Sequence, residues 1–110
     1  MDYRGGQKKW KETVVRGGLR CRVSRSTSGA RIEVAGKLNQ RTRARLIDLL
    51  WRSAGNDGRP VTLDLAGVTY FDGHSVLVLL GNKQILEQQR GCRVDLTGLE
   101  TATRRILALS

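Results

Sequence analysis

The sequence predicts an α/β domain built on a single-layer, mixed four-stranded sheet with its helices packed on one face, in the order β-β-α-β-α-β-α. Three observations carry that reading. Four segments alternate apolar and polar residues with a period of two, three others repeat apolar residues at helical spacing, and Gly-rich turn signals separate them. Because every strand alternates, one face of the sheet is apolar and the other polar. Parallel strands covered on both faces read instead as continuous apolar runs.

Residues 1–18 read as a basic arm preceding a domain at 19–110. Gly5-Gly6 and Gly17-Gly18 bracket QKKWKETVVR and suggest hinges. Within the bracket, Trp10, Val14 and Val15 can share one side of a short helix. The arm is either a solvated segment or a contact for acidic surfaces or nucleic acid.

Leu19, Cys21 and Val23 alternate with Arg20, Arg22 and Ser24. After the turn-rich RSTSGA, Ile32 and Val34 alternate with Arg31 and Glu33. This predicts an antiparallel hairpin. Asn39 is placed to cap a helix running to about Ala54, with Leu46, Ile47, Leu49, Leu50 and Trp51 as its apolar stripe and Arg41, Arg43, Arg45 and Arg52 on the remainder. GNDGR then breaks the chain before a strand at Pro60–Val68, where Val61, Leu63 and Leu65 alternate with Thr62 and Asp64.

The stretch Thr69–Gly81, TYFDGHSVLVLLG, is the focus of the chain. It predicts a short polar turn leading into a helix, with Asp72 accepting a hydrogen bond from the free N–H of His74 or Ser75. In Val76-Leu77-Val78-Leu79-Leu80, successive side chains stand about 100° apart, so the core hides only some of them and Leu77 or Val78 stays near the surface. Gly91 resets the pattern to a strand in which Cys92, Val94 and Leu96 alternate with Arg93 and Asp95. Glu100–Leu109 forms a last helix with Ala102, Ile106 and Leu109 on one side. Strands joined through helices are expected to be parallel. Ion pairs, or the arm, are expected over the polar face at Arg20, Arg22, Glu33, Asp64, Arg93 and Asp95.

The chain has 110 residues, enough for one core, with a net charge of +10. Residues 1–25 hold eight Lys/Arg against two Asp/Glu, so most of the excess belongs to the N-terminal segment and not to the body of the domain. The longest apolar run has five residues, against about 18–20 needed to span a bilayer. With no apolar leader visible, a cytoplasmic location is expected. Cys21 and Cys92 occupy apolar positions and read as buried thiols. One histidine and no grouped ligands argue against a metal, and no GxxxxGK[ST] loop suggests a nucleotide cofactor. His74 and Ser75 are adjacent, hence point apart on a helix, and no GxSxG elbow is present. Catalysis is therefore not expected.

Ala30–Leu109 resembles a STAS domain, the module shared by sulphate transporters and bacterial anti-sigma-factor antagonists. The matching pieces are IEVAGKLN, VTLDLAGVTYFD, VLLG, Gly91, and VDLTGL with TRRILAL, in matching order and spacing over about three-quarters of the chain. In the antagonists the strand is followed by Asp-Ser-Ser-Gly, whose first serine is phosphorylated by a partner kinase. Here Asp72 matches the aspartate, but Gly73 stands at the phosphoacceptor position, His74 at the second serine and Ser75 at the glycine. Asn39 stands where the family commonly has aspartate. The resemblance implies a non-catalytic module, without the usual switch, that docks a partner through Asn39, Asp72, Gly73, His74, Ser75, Leu77 and Val78. Ser75 is a displaced candidate for phosphorylation. The implied partner is an anti-sigma factor of kinase-type fold or, in transporter-associated members, an ATPase subunit.

Overall fold

The computed structural model describes residues 10–55 and 58–108. Its strands are β1 (Trp10–Arg16), β2 (Leu19–Ser26), β3 (Gly29–Leu38), β4 (Val61–Phe71) and β5 (Val94–Thr97). Its helices are α1 (Arg43–Ala54), α2 (Gly73–Arg90) and α3 (Leu99–Ala108). The expected four strands and three helices are present in the expected order, and a fifth strand precedes them.

That strand corrects the reading of the arm. Trp10–Arg16 does not form a helix; it pairs antiparallel with β2, from Trp10 opposite Arg25 to Arg16 opposite Leu19. Gly17 and Gly18 are no hinge. Both have positive φ, 58° and 90°, and they make the two-residue loop whose twist matches a hairpin. Residues 1–9, and with them the rest of the arm, lie outside the described residues.

The strands follow one another in the order β1-β2-β3-β4-β5. The β2/β3 hairpin is antiparallel, whereas β3/β4 and β4/β5 are parallel, as their helical connections require. The alternation sorts side chains as expected. Leu19, Cys21, Val23, Ile32, Val34, Val61, Leu63 and Leu65 are all buried on one face, under Leu46, Leu49 and Leu50 of α1 and Leu79 and Leu86 of α2. On the polar face, Glu33 and Asp64 are register partners, a like-charge juxtaposition relieved by Arg31, which reaches Glu33 at 3.5 Å and Asp64 at 2.7 Å. Arg22 reaches Glu33 at 3.7 Å and Arg93 reaches Asp95 at 3.2 Å. Ion pairs are therefore formed at every expected position but Arg20, which has none among the described residues; being largely exposed, each contributes about 1 kcal/mol at most.

Three boundaries differ from expectation. β4 continues through Thr69, Tyr70 and Phe71, so the polar turn contracts to Asp72 alone. α1 starts at Arg43, four residues after Asn39. Asn39 instead closes a turn: its Oδ1 accepts from the N–H groups of Arg41 at 2.9 Å and Thr42 at 3.2 Å. The Thr42 hydroxyl locks that turn, accepting from the Asn39 N–H and donating to the Lys37 carbonyl at 2.7 Å. At the far end, α3 begins at Leu99, and Leu109 lies outside the described residues.

α3 also serves the sheet edge. β5 pairs only with Val61–Asp64, leaving the second half of β4 without a strand on that side. Arg105 of α3 donates to the carbonyls of Ala66 at 2.7 Å and Val68 at 3.2 Å, covering an edge that would otherwise invite pairing. The approach is close enough that a Cβ at residue 98 would run into the Ala66 backbone, and Gly98 has φ of 78°.

Candidate protein-docking site

β3 and β4 end together, Leu38 opposite Phe71, so Asn39 and Asp72 leave the same end of neighbouring parallel strands. Asp72 has extended backbone and caps α2, its Oδ1 accepting from the Ser75 N–H at 2.7 Å. Of the two donors anticipated, Ser75 is the one used. The Ser75 N–H, then the Ser75 hydroxyl, hold the Asp72 carboxyl below its ordinary range, and the charges of Arg43 and His74 add to this. Arg43 joins the two strand ends, its Nη1 lying 3.4 Å from Ser75 Oγ.

The sequence-predicted residues divide by exposure. Gly73 and His74 are exposed and Asp72 is half-buried, whereas Ser75 is fully buried. The Ser75 hydroxyl thus sits inside the helix start, out of reach of a modifying enzyme while that turn is closed. A Cβ at residue 73 would meet nothing within 4 Å, so side chains larger than glycine fit there without moving the fold. Leu77 is 67% exposed and Val78 half-buried, so the surplus apolar residue of the run is Leu77. Leu80 at 40% and Ile85 at 42% extend the apolar surface along α2. Asp64, expected on the polar face of the sheet, pairs there with Arg31 and also accepts from the Ala66 N–H within β4 at 3.0 Å.

Two features of this region have no counterpart in sequence reasoning. Tyr70, 46% exposed, stands beside Lys37 at the end of the sheet. Between α1 and α2 runs a shallow groove lined by Ala44, Ile47, Trp51 and Val78, with Arg43 and Asp48 at its margins. Its walls are fixed by Trp51, whose Nε1 donates to Asn82 Oδ1 at 2.7 Å, and by Arg90, whose guanidinium lies 4.9 Å from the Trp51 ring centroid. The stripe predicted for α1 placed Ile47 and Trp51 among core residues; both pack against the core but are only partly covered. α1 opens with Arg43 and Arg45 and has no acidic residue in its first turn. Cations there face the positive end of the helix dipole, an arrangement that costs about 0.3–1 kcal/mol per charge.

Among the described residues there is no cluster of three or more His, Cys, Asp or Glu able to hold a metal ion, and no helix is long and apolar enough to cross a membrane. The arrangement offers a capped helix start flanked by exposed leucines, which is suited to binding a surface.

No curated protein matches the sequence. Among solved structures, the antisigma-factor antagonist STAS domain from Rhodobacter sphaeroides is similar with a TM-score of 0.63 at 19% identity, over 80% of this chain and 95% of that one. An anti-sigma factor antagonist from Mycobacterium paratuberculosis is similar with a TM-score of 0.59 at 21% identity, over 83% of this chain and 76% of that one. The structure of Mglu aligns with a TM-score of 0.59 at 23% identity, over 67% of this chain and 18% of that much longer one. These are likenesses of fold. The family described as "Mlab, STAS domain" matches residues 21–110, and the chain belongs to that STAS family.

Proposed function

We propose that this chain is a non-catalytic docking module whose partner grips the start of α2, at Asp72, Gly73, His74, Leu77 and Val78, with Asn39 at the adjoining strand end. The observation that carries the reading is Leu77, 67% exposed one turn beyond the Asp72 cap and continuous with Leu80. A large apolar side chain held on the first turns of a rigid, capped helix contributes nothing to the core and presents itself to a protein surface. The fold is similar to that of two anti-sigma-factor antagonists, which supports an anti-sigma factor of kinase-type fold as the partner class.

Residue 73 bears on how such a complex is controlled. Glycine has no hydroxyl, and Ser75 is buried. Docking at this site is then constitutive, free of the phosphorylation expected of an antagonist. That favours a second reading, a permanently associated accessory subunit bound to a transporter ATPase in the cytoplasm, since a stable subunit needs no release switch.

The test is quantitative capture from native lysate with wild type, Gly73→Trp and Leu77→Asp, each checked for unchanged circular dichroism. Both substitutions are expected to abolish capture, because both project into the contact without touching the core. Undiminished capture by Gly73→Trp sinks the reading. The identity of the captured protein, a kinase-type anti-sigma factor or an ATPase subunit, separates the two partners.

A further inference from the structure

The groove between α1 and α2 leaves part of Ile47 and Trp51 uncovered, although both pack against the core. Ala44, Asp48 and Trp51 lie along one row of α1, Ile47 faces α2, and Val78 closes the floor from the other side. From Ala44 to Trp51 the row covers about 10 Å, two turns of helix. Arginines flank it. Arg43 stands on the α2 side against Ser75; Arg45 projects from the opposite side of the row, and Arg41 precedes the helix. The groove's one carboxylate, Asp48, is already engaged by Arg52 at 3.0 Å. Arg41 and Arg45 make no ion pair among the described residues. Placed at the N-terminal end of α1, these charges oppose the helix's own dipole and do not stabilise it.

We propose that this groove receives an acidic amphipathic helix of the protein partner. Apolar residues of that helix, spaced i, i+3 or i+4, i+7, would rest on Ala44, Ile47, Trp51 and Val78, while its carboxylates meet Arg41, Arg43 and Arg45. Charge complementarity selects this occupant. The apolar strip of Ala44, Ile47, Trp51 and Val78 suits a helix face, and the guanidinium groups of Arg41 and Arg45, which make no ion pair among the described residues, suit carboxylates. A nucleic acid would want open aromatic faces, but Trp51 has one face under Arg90 and its N–H committed to Asn82. The assignment rests on the docking reading above and gives the partner its chemistry.

The test uses the full chain and three fluorescein-labelled helical peptides of 16 residues: one with leucines along one face and glutamates elsewhere, one with lysines replacing the glutamates, and one with serines replacing the leucines. Fluorescence anisotropy should show binding of the Leu/Glu peptide alone, weakening as salt rises. The double variant Arg41→Glu, Arg45→Glu should lose about tenfold or more in affinity for it. This variant keeps the fold testable, since neither side chain has an ion-pair partner among the described residues and acidic residues suit a helix start. Equal binding of the lysine peptide overturns the proposal, as does equal binding of the serine peptide, the behaviour of a general polyanion site. Absence of binding by all three, or an unaffected double variant, overturns it too. Failure here is separable from failure of docking itself. If native capture is lost in Leu77→Asp yet retained in the double variant, the docking reading stands and the acidic helix falls.

Discussion

α1 and α2 lie side by side on the same face of the sheet, and they spend their apolar residues differently. In its 12 residues α1 buries Leu46, Leu49, Leu50, Ser53 and Ala54. α2 is half as long again, at 18 residues, yet buries only Ser75, Leu79 and Leu86 and leaves Leu77, Leu80 and Ile85 exposed. A helix kept only for the core would not carry such a surplus. The difference teaches that α1 spends most of its apolar residues closing the fold, while α2 carries large apolar side chains that the core does not use, and it is on these that the proposed docking rests.

Core truncation breaks the comparison most sharply. Leu50→Ala, at a fully buried position of α1, should destabilise by about 2–5 kcal/mol in urea unfolding, whereas Leu77→Ala should stay within about 0.5 kcal/mol while partner capture collapses. Comparable losses at the two sites would erase the distinction. Next in size is Gly98→Ala, which places a Cβ against the Ala66 backbone at positive φ and should cost about 1–3 kcal/mol by the same measurement, by prying α3 from the β4 edge.

Smaller effects come from acid. The Glu87 carboxyl is held below its usual range by the Val94 N–H, then by Lys83, and the Asp72 carboxyl by Ser75. Both folded values lie below the unfolded ones. The stability they supply is therefore complete above about pH 4–4.5, where unfolded carboxylates are ionised, and is lost as pH falls through the folded values. Thermal melts between pH 7 and pH 3 should show this decline, flattened in Glu87→Gln, where the carboxylate ties α2 to β5. Asp72→Asn should flatten it as well, by acting at the helix start. The smallest expected effect is none: burial pushes the Cys21 thiol up to about 11, so iodoacetamide at pH 8 should leave Cys21 unmodified in the folded protein and alkylate it in urea.

Much of this was legible beforehand because period-two alternation and helical stripes report burial directly. The β2/β3 hairpin, the face of β4, the Asp72 cap and the exposure of one of Leu77 and Val78 all follow from local patterns, and the structure selects Leu77. β1 did not follow. Trp10, Val14 and Val15 fit one side of a helix as readily as a strand, and only the ladder with β2, closed by Gly17-Gly18, selects between them. The extension of β4 through Thr69–Phe71 was likewise hidden, since the period-two alternation ends before it, while the pairing of Lys37 with Tyr70 and Leu38 with Phe71 holds the strand.

By itself the chain determined which residues must leave water and therefore the order of elements, the one-sided sheet and the presence of an apolar surplus at the start of α2. Tertiary structure decided how that surplus is presented. Whether Ser75 faces Arg43 or solvent, and whether Trp51 and Val78 meet to form a groove, depend on how two helices pack across residues more than 25 positions apart. Local periodicity carries the burial of each side chain but no information about its neighbours from distant parts of the sequence, and a docking surface is made of those neighbours.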